Sequence, residues 1–456
     1  MNGSETVVDA RVRSVDDGSV ETCGVRDRTP WLLAFLCVLI PILPWTAVPA
    51  GPLKSNGSPA KLTALLFFGL VVLGFLATRR VAKRRTLRIG VIPVLLYFFL
   101  QLVLYGVGLA RLRSELADAT AMRYVVILLA NTGVALYAMT RVETPRQRSI
   151  VLGALAAGMT FACVVGLLQS TSGVDLRFLF KPPGFVENAE FVGFADRGGA
   201  KRVVGTSQHA IEFSVLAAVT VPLTLHFARF SPSRQVRLFS AVACFAALAA
   251  MPAAISRTGV LALGAALLVY MWGATLRRLA GALVAASVAI TGYLMIFNNT
   301  AQALWKTIAS SEEDPSVLER TADYAVVSET FRAHPVFGLG LGGNPWEEYG
   351  FLDNEWLQAI VQGGIVGITA MMALTGGVIF GLAAGLRSAR SPRERDQMYM
   401  MAAMLVGILM SSFTFDLFTY QQATLTFFIL LGLLWSTYKV QFVDPQDAVT
   451  PQGSRR

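Results

Sequence analysis

The sequence predicts an all-α membrane protein, with about twelve spanning helices and a large outer loop that carries a helix of its own before the tenth span. Three observations predict it. Of 456 residues, 54% are hydrophobic and 15% charged, where soluble domains carry about 25% charged residues. Mean hydropathy is +0.56. Apolar runs near the ~20 residues that cross a bilayer recur along the chain, and Lys and Arg gather in alternate connecting segments. A net charge of +10 would suggest nucleic acid in a soluble chain. Here the placement of the charge matters more than its sum, and no nucleic-acid partner is expected.

The elements follow in order. Residues 1–30 are polar and form a tail, and the first apolar run opens near Trp31, so no cleavable signal peptide is expected. Nine spans are predicted within 31–297, at 31–49, 61–78, 91–110, 123–140, 149–169, 210–228, 237–255, 259–274 and 279–297. A long outer segment covers 298–362. Three more spans follow within 363–438, at 363–385, 397–414 and 422–438, and 439–456 is a second tail. With the N-terminus inside, the dense basic clusters RRVAKRRTLR (79–88), RVETPRQR (141–148), RFSPSRQVR (229–237) and RSARSPRER (387–395) all fall on the inner side. That is the positive-inside pattern of a multi-pass cytoplasmic-membrane protein with both termini in the cytoplasm. Cys23, Cys37, Cys163 and Cys244 show no metal-ligand spacing, and three of them sit in apolar runs. They read as small hydrophobes.

The outer segments 171–208 and 298–362 are long, and long loops are where function concentrates. The second contains HPVFGLGLGGNPWEEYGFLDN, in which Gly338, Gly340 and Gly343 match G-x-G-x-x-G. That pattern marks a dinucleotide turn only between a strand and a helix. The preceding PSVLERTADYAVVSETFRAH has helical period, with Val317, Tyr324, Val327 and Phe331 on one stripe. The glycines are therefore expected to give tight turning and close backbone approach to a ligand or to the membrane. No P-loop, D-x-D-type metal site or Ser-His-Asp set appears. No metal and no cofactor are expected.

Candidate functional residues lie at the outer boundary. Arg257, in MPAAISRTGVLALG, stands between two apolar spans. A charge there is costly and is a functional candidate, or else it snorkels to lipid phosphate. Arg202, in GGAKRVVGTSQHAIEF, offers a second guanidinium fork suited to phosphate oxygens. His209 and Glu212 follow one helical turn apart, as binders of substrate hydroxyls or as a pair that satisfies a helix start. Arg320 falls on the apolar stripe of 315–334 and calls for an anion, from a substrate or from Asp323 or Glu319. His334, Asp353 and Glu355 are candidate bases; a partly desolvated Asp353 would be the better base, and it also suits a helix N-cap. Asn354 completes the Asp-Asn pair at the re-entry to the membrane.

Four segments together resemble the O-antigen ligase/O-antigen polymerase superfamily of polytopic glycan transferases. They are RVVGTSQHAIEF, ISRTG, ERTADYAVVSETFRAHPVFGLGLG and DNEWLQAIVQGGIVG, in the order and spacing of that family across about 200–367. The resemblance implies a metal-independent transfer of a glycan from undecaprenyl diphosphate to an acceptor hydroxyl at the outer membrane face. Arg202 and Arg257 would hold the diphosphate. The acceptor is a second lipid-linked glycan in polymerases, a lipid in ligases and a protein in related oligosaccharyltransferases. Ligases of the family carry a histidine where this chain has Asp353, which tilts the expectation to a polymerase. A transporter or flippase of lipid-linked sugars is the reading from another class, although such proteins tend to show two related halves and none is visible here.

Overall fold

The computed structural model of the chain describes residues 29–44, 47–49, 58–78, 86–111, 113–181, 183–187, 196–197, 200–272, 315–350, 352–438 and 440–441, with single positions at 295, 302 and 305. These are mostly helical. The helices are α1 (Trp31–Ile42), α2 (Pro59–Thr78), α3 (Val91–Leu109), α4 (Glu115–Arg141), α5 (Pro145–Thr171), α6 (Ala210–Phe230), α7 (Arg234–Ala253), α8 (Arg257–Met271), α9 (Pro315–Ala333), α10 (Glu355–Ser388), α11 (Pro392–Ser411) and α12 (Gln421–Trp435). By length and composition, α2 to α7 and α10 can each cross a bilayer, and α1, α8 and α12 are shorter apolar helices. Among the described residues this gives seven long apolar helices, against the twelve or so expected. The ninth expected span, 279–297, lies outside the described residues except for position 295.

Local chemistry accounts for the differences. The first span was expected to run to 49, but α1, with Pro41 in its last turn, stops at Ile42, two residues before Pro44. Ala47–Pro49 instead forms a strand, antiparallel to Phe185–Glu187. The α10 helix begins at Glu355, ahead of the expected 363. Elsewhere the caps sit where the sequence offers them. Thr144 and Gln147 form a capping box at the start of α5, with Pro145 at its first position. Ser391 receives the Glu394 N–H at the start of α11.

Every residue of α12 is buried, and α6 is nearly as enclosed. These two apolar helices form the centre of the bundle, as helices without a polar face must. The others surround them and turn exposed Leu, Phe and Trp side chains outward.

The two ends of the bundle differ. At one end the starts of α6, α8, α10 and α12 meet the finishes of α7 and α11; Glu355 N–H donates to the Ser412 carbonyl at 2.9 Å and Gln422 N–H to the Glu212 carboxylate at 2.9 Å. At the other, Asp396 of α11 accepts from His226 (2.6 Å), Arg229 (2.7 Å) and the Tyr270 hydroxyl (2.9 Å). That second end also carries Arg141, Arg146, Arg148, Arg234, Arg237, Arg387, Arg393 and Arg395, all within a turn or two of a helix terminus.

The α10 helix is broken at Gly364, whose φ of 54° and ψ of −136° are not helical. A break frees carbonyls and amides that a membrane interior cannot hydrate. The glycine-rich stretch satisfies them. Leu339 N–H donates to the Val361 carbonyl (2.8 Å) and Gly340 N–H to that of Gln362 (2.9 Å). In return, Ile365 N–H donates to Pro335 (2.9 Å) and Val366 N–H to Val336 (3.1 Å). Gly340 has φ of 90°, and a Cβ on it would collide with the Gly108 backbone of α3. The close approach these glycines permit is to the protein's own helices.

Candidate functional site

Arg202 and Arg257, 55 positions apart in the chain, meet at the α7–α8 turn. The segment after the short strand Ala200–Lys201 lies against the finish of α7, with Val203 N–H donating to the Ala253 carbonyl at 3.3 Å. Arg202 Nε donates to the next carbonyl, Ala254, at 2.9 Å. Ser256 precedes α8, and Arg257 is its first residue. One arginine is thus fastened to the turn that launches the other. Ile255, fully buried within that turn, has φ of 47°. It is the one non-glycine residue with positive φ among those described, and a branched side chain there is strained by roughly 1–3 kcal/mol. Gly259, a half-turn into α8, lies so close to Ser214 of α6 that a Cβ would collide. The strained turn and this close crossing fix the direction from which Arg257 leaves.

A third segment enters from α10. Asn354 is its cap: Oδ1 accepts from Trp356 N–H (2.9 Å) and Leu357 N–H (3.3 Å), and Nδ2 donates to the Phe413 carbonyl (3.1 Å). The cap reading of Asp353 is corrected by this. An aspartate in that role would lack the N–H that reaches Phe413. Asp353 stands one place before the cap and is half-buried. Trp356 stacks on Phe413 with ring centres 5.2 Å apart, and its Nε1 donates to the Ser412 hydroxyl at 3.0 Å. Glu355 is buried and accepts from Phe418 N–H at 2.9 Å.

Tyr420, just ahead of α12, ties the segments together. Its ring lies 5.8 Å from that of His209. Its hydroxyl is pushed above the ordinary tyrosine range, first by burial and then by Asp416, Glu212 and Asp353, while Arg202 opposes the shift. Those groups therefore sit within electrostatic reach of one ring. Asp416 is raised to about 7, chiefly by burial, with a Thr419 hydrogen bond lowering it and the Asp353 charge raising it further. Sequence reasoning missed both Asp416 and Tyr420. The available signal was a lone acid in SSFTFDLFTY, between two apolar helices.

The remaining candidates divide. His209 caps α6, its Nδ1 accepting from Ile211 N–H at 3.2 Å. Glu212 is fully buried and takes backbone N–H bonds from Gln208 (3.1 Å), Gln422 (2.9 Å) and Ala423 (3.1 Å). Its carboxylate thus closes the starts of α6 and α12 together, as the helix-start reading expects. His334 ends α9, its N–H donating to Thr330 at 2.9 Å; no hydrogen bond, ion pair or ring contact joins it to the Tyr420 cluster among the described residues. The Arg320 side chain lies outside the described residues.

A family model described as O-antigen ligase matches residues 242–372. The match takes in Arg257, Arg320, His334, Asp353 and Asn354, and leaves Arg202, His209, Glu212 and Asp416 outside it. No curated protein matches the chain.

Proposed function

We propose that the chain, whose residues 242–372 match the O-antigen ligase family model, moves a glycan from undecaprenyl diphosphate to an acceptor sugar hydroxyl, as polymerases of the superfamily it resembles do. The observation that carries this reading is the meeting of Arg202 and Arg257 at one strained turn, at the bundle end that also holds Asp353 and Asp416. Two guanidinium forks suit a diphosphate. Asp353, outside the helix cap, takes the proton of the acceptor hydroxyl. The freed oxygen attacks the anomeric carbon from the face opposite the diphosphate. The C–O bond to phosphate breaks, its electron pair leaves with the lipid diphosphate, and the configuration inverts. The arginines stabilise the charge that collects on the leaving oxygens. The chemistry calls for no metal or nucleotide.

The site end faces outward in this reading, because the arginine-rich helix termini crowd the opposite end. His334 is the second choice of base. His209 borders the site, and Glu212 holds the segments that frame it. A ligase acting on a lipid acceptor is the second reading, favoured by the description of the matching family.

The test is glycan transfer by the purified chain in lipid nanodiscs. Arg257→Lys keeps the charge and loses the fork, and is expected to lower kcat about 10²–10³-fold, the usual cost of one transition-state donor. Arg202→Ala is expected to lose at least as much. Full rates in both variants overturn the mechanism. Deletion of the gene separates the two readings: single repeats left on the cell surface mean polymerase, and accumulated full-length lipid-linked polymer means ligase.

A further inference from the structure

A narrow crevice of mixed polar and apolar lining lies between α3, α4 and α10, on both sides of its break. Gln101, Asn131 and Glu355 line it together with the aromatic rings of Tyr97, Tyr124 and Phe418. Asn131 is 4% exposed, and neither its amide nor that of Gln101 makes a hydrogen bond among the described residues. Glu355 has one carboxyl oxygen bonded to Phe418 N–H. Gln101 is half-buried, and polar side chains within membrane spans mark function by default. By contrast, the neighbouring amides are committed: Asn344 donates to Gln358 at 2.7 Å and receives from Gln362 at 2.8 Å. That ladder holds the glycine loop and leaves Gln101 and Asn131 for something else.

The crevice lies behind the Asp416–Tyr420 segment as seen from the arginines. Phe418 lines it, whereas Tyr420, two residues on, meets His209 and feels Arg202. Asp353 stands two residues from Glu355. The crevice and the proposed base thus share the start of α10. The free space is small, enough for about two water molecules. That fits one hydroxyl-bearing edge of a pyranose, and excludes a whole ring or a lipid chain. Aromatic faces flanking amides and a carboxyl are the chemistry that holds a sugar edge.

Resting on the transferase reading, we infer that this crevice is the acceptor-sugar site, in which Gln101, Asn131 and Glu355 bind the hydroxyl-bearing edge of the acceptor pyranose. The test is saturation-transfer NMR on the full chain in detergent, with methyl hexopyranosides and methyl 6-deoxyhexopyranosides at millimolar concentration as probes. At least one glycoside is expected to bind. Asn131→Leu and Gln101→Leu, near-isosteric and apolar, should abolish that signal without lowering the melting temperature. Arg202→Ala should leave it intact. No signal from any glycoside, or a signal that survives Asn131→Leu, overturns the inference. The two readings fail separately: glycoside binding without any glycan transfer sinks the transferase and keeps a sugar site, and transfer without glycoside binding does the reverse.

Discussion

Asp353 and Asn354 are neighbours with separable work. Asn354→Ala removes the cap and is expected to cost about 1 kcal/mol of stability, read as a lower melting temperature. Asp353→Asn should leave melting unchanged and reduce kcat by at least 10²-fold, the low end for a general base. Asp416 adds a pH dependence. Its folded pKa of about 7 lies above its unfolded value. Below about 7 it carries a proton and Asp353 faces a neutral neighbour; above, a second negative charge strengthens Asp353 as a base. The rate should therefore rise through pH 7, and Asp416→Asn should flatten that rise. The sign for stability is the opposite. The folded state binds the proton more tightly than the unfolded chain, so this group's contribution to stability falls as pH climbs from about 4 to about 7. At this scale the sequence was partly legible. The arginines were visible because charge between apolar runs is conspicuous. The choice between Asp353 and Asn354 as cap was not, since both residue types cap helices and only the Phe413 carbonyl decides.

Among the elements, the helix expected ahead of the glycine stretch is present as α9. What the backbone of that stretch approaches was hidden. The partner is a break inside α10 at Gly364, next to position 363, where the tenth span was expected to begin after the outer loop. Hydrophobic periodicity reports which residues face lipid; it does not report a helix that stops and restarts with its polarity unchanged. Gly364→Ala tests the break. Its φ of 54° is strained for alanine, and the new Cβ would strike the Pro335 carbonyl. The variant is expected to lose 2 kcal/mol or more, by analogy with other mutations at left-handed or overpacked positions, and to show it as a lower denaturation midpoint in detergent.

Across the whole molecule, the class was legible because hydropathy and charge placement are averages over hundreds of residues. The span count was less so. Prolines shorten α1, and α11 opens on the charged PRERD. The arginine asymmetry between the two ends predicts orientation: a fluorescent protein fused after Arg456 should fluoresce, as it does only in the cytoplasm, and an alkaline phosphatase fusion at the same place should be inactive. The reverse pattern would put the arginine pair on the wrong face for a lipid-linked donor. The fold brings that pair together from segments on either side of the α6–α7 hairpin, so neither segment alone carries the site.

The seal between the glycine stretch and α10 has a consequence for biogenesis. During synthesis residues 335–341 leave the ribosome before 361–366, so the strip that will receive the broken helix already exists when that helix reaches the membrane. The nine residues of α10 before Gly364 are too short to cross a bilayer by themselves, whereas the 24 after it are long enough. The chain resolves this by order of arrival: the dock is laid down first, and the interrupted helix moors to it as it enters.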